Sequence, residues 1–250
     1  GTEIFAEAFG CRVFRSADNM PFALPFIHSA AEADRLHQPE LSTSSLAYLF
    51  DIADELQRRG GPGALMKPVD IQSPMDIAAL IWEKSTFYTA LIEAPEAVRQ
   101  LAEKVKAFLT TFLDLWLARY GKAFIAHYPA YYMPVGITLS EDEVGAVSRH
   151  VYDELFLPEL AELSHRYGGI GLHCCAHARH QWDGFKRIPG LRLLNLVQPV
   201  EVLREAYRAF ADLPQMHSWC GEGDPTTWPA EYPSGSRVVI QVTARMKDEA

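Results

Sequence analysis

The densest collection of chemically capable side chains lies at residues 173–183, where His173, Cys174 and Cys175 are followed by His177, His180, Gln181, Trp182 and Asp183. The apolar run at 170–175 reads as a β-strand, and alternation along it sends His173 and Cys175 to one face and Cys174 to the other. An imidazole and a thiolate converging at a strand end are borderline and soft donors, the pair that Zn²⁺ takes readily, with Cys220 or an acidic or imidazole group as a third ligand. Three protein ligands and an open position would let the ion hold and deprotonate a substrate thiol. The competing structural reading is a buried histidine satisfied by hydrogen bonds beside two core thiols.

Other polar residues fall at the ends of other strand-like runs. His127 and Tyr128, then Tyr131 and Tyr132, close 123–130; His217, Trp219 and Cys220 close 215–220, followed by Glu222 and Asp224; Asp70 and Gln72 close 64–72. Asp70, His127 and Tyr128 are candidates to position a substrate. Tyr132 is a candidate to contact a planar cofactor by stacking and Trp182 to close the mouth around it, against a plain packing role for each. Ser140 followed three residues later by Glu143 is most simply a capping box with acids in a first helical turn. The alternative makes Asp142 a general base or metal ligand at a barrel mouth. His177 and His180 read as loop or helix-start residues.

These residues need a scaffold, and the periodicity supplies one. Short, nearly continuous apolar runs at 64–72, 123–130, 170–175, 191–197, 215–220 and 237–243 suit parallel strands buried on both faces, with 11–16 a doubtful addition. Between them, residues 95–121 predict a long helix with Pro95 near its first position, Gly121 as its stop, and Val98, Leu101, Val105, Phe108, Phe112 and Leu115 on one face. A second helix is expected over about 143–167, with Pro158 dividing it and Gly168 and Gly169 ending it. Helix alternating with strand predicts a parallel α/β sheet, as a (β/α)8 barrel or an open doubly wound sheet.

Composition narrows the function classes. The chain has 250 residues, 48% hydrophobic and 22% charged, enough for one barrel domain spanning 1–250. Its 23 Lys and Arg against 32 Asp and Glu give a net charge of −9 with no basic stripe, which argues against nucleic acid as a partner. No run approaches the ~20 apolar residues of a membrane span, so no membrane partner and a cytoplasmic location are expected. Four cysteines are too few for a disulfide framework. The first residue is Gly, and about six strands are evident where a barrel has eight, so part of the N-terminal region is expected to be missing.

Several stretches resemble the uroporphyrinogen decarboxylase superfamily. GIGLHCCAHARHQWDGFKRIPGL is similar to that superfamily's strand, loop and helix with a His-x-Cys pair at the strand end. VDIQSPMDIAALIWEKSTFYTALIEAPEAVRQLAEKVKAF resembles its strand, short helix and long helix with a Pro-Glu start. ITLSEDEVGAVSRHVYDELFLPELAELSHRYGG resembles its Ser-rich turn and following helix, and GEGDPTTWP stands where many members have a Gly-Asn-x-Asp-Pro turn. The resemblance implies a (β/α)8 barrel acting on a small molecule by one of two chemistries. One is zinc-dependent methyl transfer from a corrinoid protein to a thiol, with His173 and Cys175 matching two ligands. The other is metal-free decarboxylation of a carboxylated tetrapyrrole or related ring, served by Asp70, His127, Tyr128 and Asp142; a barrel that binds a tetrapyrrole without turnover is a third expectation. The departures are specific. The third zinc-binding Cys would fall where Thr243 and Arg245 stand, and the decarboxylases' Arg-rich segment and C-terminal His have no counterpart here.

Overall fold

The computed structural model describes residues 2–127 and 130–241. Helix α1 (Ile4–Ala8) precedes a hairpin, β1 (Arg12–Phe14) and β2 (Phe22–Leu24), and then α2 (Ala30–Arg35), α3 (Ala47–Gly60), α4 (Pro74–Ile81), α5 (Lys84–Glu93) and the 26-residue α6 (Pro95–Tyr120). A second, antiparallel hairpin follows, β3 (Phe124–Ile125) with β4 (Tyr132–Met133), before β5 (Ile137–Ser140) opens the main sheet. Helix α7 (Arg149–Val151) runs through a π-turn, Tyr152–Phe156, into α8 (Leu157–Tyr167). The remainder alternates: β6 (Ile170–Cys174), α9 (Trp182–Phe185), β7 (Leu191–Leu196), α10 (Val200–Ala209), β8 (Pro214–Gln215), α11 (Trp228–Glu231) and β9 (Arg237–Val238).

Strands β5 to β9 form one parallel sheet in chain order. Residues 71–73 extend it by a sixth position beside β5: Gln72 bridges Ser140 in parallel, Ser140 N–H donates to Ile71 O at 2.9 Å, and Ser73 N–H to Ser140 O at 2.8 Å. A doubly wound sheet reverses strand order at a switch point, whereas a barrel winds one way round. Six consecutive positions without a reversal are the barrel's winding. The carboxyl ends of all these strands therefore point to one face, where ligands of such folds sit.

Two expectations about the elements are corrected. The described residues of 123–130 do not enter the parallel sheet: Phe124–Ile125 pair antiparallel with Tyr132–Met133, Ala126 N–H donates to Tyr131 O at 2.8 Å, and Ile125 N–H donates to Met66 O at 3.1 Å. The strand position falls instead to residues 137–140, which had read as a turn. Ser140 consequently lies in the β5 ladder and caps no helix. The helix-capping serine is Ser148, whose Oγ accepts from Val151 N–H, after a short 3₁₀ turn over Glu143–Ala146.

Helix α6 is the main helical contributor to the core and packs on α2, α4 and α5. Val98, Leu101, Val105, Phe108 and Phe112 are all essentially inaccessible, but Leu115 is 42% exposed and Trp116 is buried in its place. A strict 3,4 spacing repeats every 3.5 residues while the helix turns every 3.6, so by its fourth turn the buried face has moved one residue along. Phe5 meets Phe112 edge to face at 5.3 Å, tying α1 to the same face. Gly168 ends α8 in the left-handed region at φ 78°, as its position after the last periodic residue predicts.

Candidate active site at the carboxyl end of the parallel sheet

The parallel register places His173 of β6 opposite Asn195 of β7. Both are buried, at 7% and 2% exposure, and polar groups so placed must find partners. The Asn195 amide Nδ2 donates to Met216 O, which orients its Oδ1 toward the imidazole, and His173 Nδ1 donates to that oxygen. The proton is thereby assigned to Nδ1, leaving Nε2 as the basic nitrogen. Cys175 Sγ lies 3.0 Å from Nε2. Strand alternation thus brings His173 and Cys175 together, while Cys174 packs in the apolar core with its thiol pushed up by burial.

The loop that carries Cys175 is fixed from β5. Asp142 Oδ1 accepts from Cys175 N–H and, at 3.3 Å, from Ala176 N–H. Gln198 Nε2 donates to Cys175 O at 3.1 Å and Ala176 O at 2.9 Å, closing the same loop from the β7 side. The Cys175 thiol is pushed up by desolvation first, then by the carboxylates of Asp142 and Asp70. An electronegative neighbourhood of this kind disfavours a bare thiolate and favours a cation beside it. Asp70 itself is half-buried and accepts from Ser140 Oγ at 3.2 Å.

Next to this pair opens a cavity of about 390 Å³, lined by Lys67, His127, Asn195, His217, Trp219 and Cys220, among others. Asn195 is shared between the cavity wall and the His173 hydrogen bond. Burial holds His127 below the usual imidazole range, with Asp70 opposing and Lys67 reinforcing the shift. His217 is buried, its Nδ1 accepts from Leu196 N–H at 3.0 Å and its Nε2 donates to Gln215 Oε1 at 2.9 Å, so desolvation leaves it neutral with a pKa of about 3. His217 is therefore a fixed wall and not a proton carrier near neutrality. Lys67 is the cation of this wall and forms no ion pair among the described residues.

The remaining sequence candidates divide. His127 stands at the tip of the β3–β4 hairpin and not at a parallel strand end, yet it faces the cavity. Tyr128 lies outside the described residues. Tyr132 on β4 is 50% exposed and is not among the cavity-lining residues. Trp182 is corrected from mouth to core: it meets Phe210 edge to face at 5.8 Å and is 9% exposed, because α9 turns its apolar face toward the end of α10. His180 Nε2 donates to Val147 O at 2.9 Å and His177 Nδ1 donates to Gln198 Oε1 at 2.8 Å, both loop-fastening contacts. Asn195, Gln198 and Lys67 were not singled out from the sequence. Asn195 sits in an apolar strand, LRLLNL, and a lone polar residue at a core-facing strand position was the available signal.

The donor set tests the expected zinc site. His173 Nε2 and Cys175 Sγ are of the right chemistry, and the hydrogen bond on Nδ1 is the usual outer support of a metal-bound imidazole. Among the described residues, however, no three His, Cys, Asp or Glu side chains are grouped to hold a metal. Cys220 lines the neighbouring cavity with Asn195 and is not grouped with His173 and Cys175 as a set of three donors among the described residues. The described residues supply two donors.

The profile of the uroporphyrinogen decarboxylase (URO-D) family matches residues 3–216. Among solved structures, a methyltransferase from Methanosarcina mazei superposes with a TM-score of 0.71 at 10% sequence identity, over 90% of this chain and 64% of that one. The chain therefore spans somewhat less than two thirds of that structure, and at this identity the likeness concerns the fold. None of the curated proteins matches the sequence. Consecutive parallel winding, a His-x-Cys strand end and a profile match over most of the chain agree on one conclusion: this protein belongs to the uroporphyrinogen decarboxylase family and has its TIM-barrel fold.

Proposed function

We propose that the chain is a group-transfer enzyme of the URO-D family that moves a methyl group from a corrinoid protein to a thiol-type acceptor, at a zinc ion held in part by His173 and Cys175. The observation that carries this reading is the 3.0 Å approach of Nε2 to Sγ, with the imidazole's other nitrogen tied to Asn195. Zinc bound there would act as a Lewis acid that lowers the pKa of an acceptor thiol. The chain's own residues do the rest. Asn195 fixes the imidazole plane, Asp142 fixes the Cys175 loop, and the Asp70 and Asp142 carboxylates make the surroundings favourable to positive charge. Lys67 and His127 line the adjoining cavity, where an acidic group of a small-molecule acceptor would be held. Cys220, in that same wall, is the proposed third donor; it must move to reach the pair.

Zinc analysis of protein purified without a histidine tag tests this. The expected result is about one zinc per chain, lost in Cys175→Ala and His173→Ala and reduced in Cys220→Ala, together with thiol methylation by methylcobalamin. Zinc near zero in the unaltered protein and in all three variants overturns it. A second reading, a metal-free decarboxylase of a carboxylated ring, draws on the two-donor count and on Lys67 and His127 in the cavity. It predicts loss of CO₂ from uroporphyrinogen or a related carboxylated pyrrole without added metal. Porphyrin binding with neither reaction would leave a non-catalytic tetrapyrrole carrier.

A further inference from the structure

Beneath the Cys175 loop lies a buried side chain that touches neither the cavity nor the His173–Cys175 pair. Asp76, in the first turn of α4, is 2% exposed. Its Oδ2 accepts from Asp142 N–H at 2.8 Å and its Oδ1 from Glu143 N–H at 2.9 Å. Its own N–H donates to Ser73 Oγ at 3.0 Å, and Ser73 N–H in turn donates to Ser140 O of β5. Asp142 then presents Oδ1 to the N–H groups of Cys175 and Ala176. Glu143 continues outward, accepting from Lys84 Nζ and Tyr88 Oη of α5.

A carboxylate buried this deeply is costly unless its oxygens are used, and here both oxygens are used on consecutive backbone amides of one loop. A first-turn acid is favoured by the helix dipole, but one buried this fully among the apolar neighbours Met75, Ile77 and Ala78 needs partners for both oxygens. The loop is also tied to β6 by Glu141 N–H, which donates to His173 O at 2.9 Å, but among the described residues Asp76 alone holds the amides of both Asp142 and Glu143.

From this chain of bonds we infer that Asp76 is a positioning residue: it holds Asp142 in place, and through Asp142 sets where Cys175 stands relative to His173. The role bears on the proposed His173–Cys175 chemistry but is read without it, because the thiol itself reports. It places the determinant of site geometry on α4, one helix behind the site, in a residue with no contact to substrate.

The test follows Cys175 alkylation by iodoacetamide, quantified by peptide mapping so that Cys220 is counted separately, in Asp76→Asn, Asp142→Ala and the double variant. Asn is isosteric with Asp but can accept from only one of the two amides. Each single variant should change the Cys175 rate about threefold or more in the same direction, and the double variant should match Asp142→Ala, since residues acting in one chain are not additive. Cys220 should keep its rate. An unchanged rate in Asp76→Asn where Asp142→Ala changes it, or effects that multiply in the double variant, overturns the role. Should Asp76→Asn fail to fold, hydrogen exchange in the unaltered protein decides. The amides of Asp142, Glu143, Cys175 and Ala176 donate to carboxylates and should exchange at least about tenfold slower than in an unstructured peptide. Unprotected exchange at Asp142 and Glu143 sinks the inference.

Discussion

Asn195 shows how one amide can settle the chemistry of a neighbour. By donating to Met216 O and accepting from His173 Nδ1, it selects the tautomer that leaves Nε2 toward Cys175. Asn195→Leu is about the same size and removes both bonds, stranding a buried imidazole N–H and a carbonyl. It should cost about 1–3 kcal/mol in urea unfolding. If zinc is bound, its content should fall as well, because the imidazole is no longer held. At this scale the sequence showed the His-x-Cys pair, since alternation along a strand needs no tertiary knowledge. It did not show Asn195, Asp76 or Gln198, whose significance lies entirely in what a neighbouring element places opposite them.

Among the elements, α6 gives the sharpest contrast. Phe112 is fully buried and Leu115, three residues on, is 42% exposed. Phe112→Ala should destabilise by about 3–5 kcal/mol through loss of burial and the void left behind. Leu115→Ala should stay within about 0.5 kcal/mol, and thermal melts of the two variants would reveal any error in the helix's rotation. Gly136, just before β5, has φ 105°, and a Cβ there would sit 2.6 Å from Gly169 O. Gly136→Ala is expected to cost about 2 kcal/mol or more, because the conformation is unfavourable and a backbone oxygen cannot give way. The long helix and strands β6 and β7 were legible because their apolar pattern is long or strongly bounded. Residues 123–130 and 137–140 were misassigned because two short apolar runs separated by a few residues look alike until one finds a parallel partner and the other folds back.

Over the whole molecule, buried carboxyl groups give the fold a defined dependence on pH. Burial pushes Glu159 up to about 8, with Lys106 at 3.9 Å offsetting only part of the cost. Desolvation also raises two other fully buried groups, Asp76, despite the hydrogen bonds it accepts, and Glu141, where the neighbouring Asp76 adds to the rise. Raised folded-state pKa values mean that the native state binds more protons than the unfolded chain, so stability is fully present below about pH 4.5 on account of these groups and declines as pH rises toward 8. Urea unfolding at pH 5.5 and pH 8 should show this decline, and in Glu159→Gln it should be smaller by about 1 kcal/mol or more. Equal slopes in the two proteins would show that Glu159 is ionised at little cost. No helix among the described residues is long and apolar enough to cross a membrane.

By itself the sequence determined a parallel α/β sheet and the strand end where chemistry is expected, because these are carried by local periodicity and by neighbours two residues apart, and its motifs resembled the family; periodicity alone left barrel and open sheet both possible. Only the tertiary structure decided which strands lie side by side. That in turn decided that His173 faces Asn195, that Asp142 fastens the Cys175 loop, and that Trp182 belongs to the core. The physical reason is that a hydrogen bond or a ligand shell depends on distances between residues remote in the chain, and these are set by packing and register.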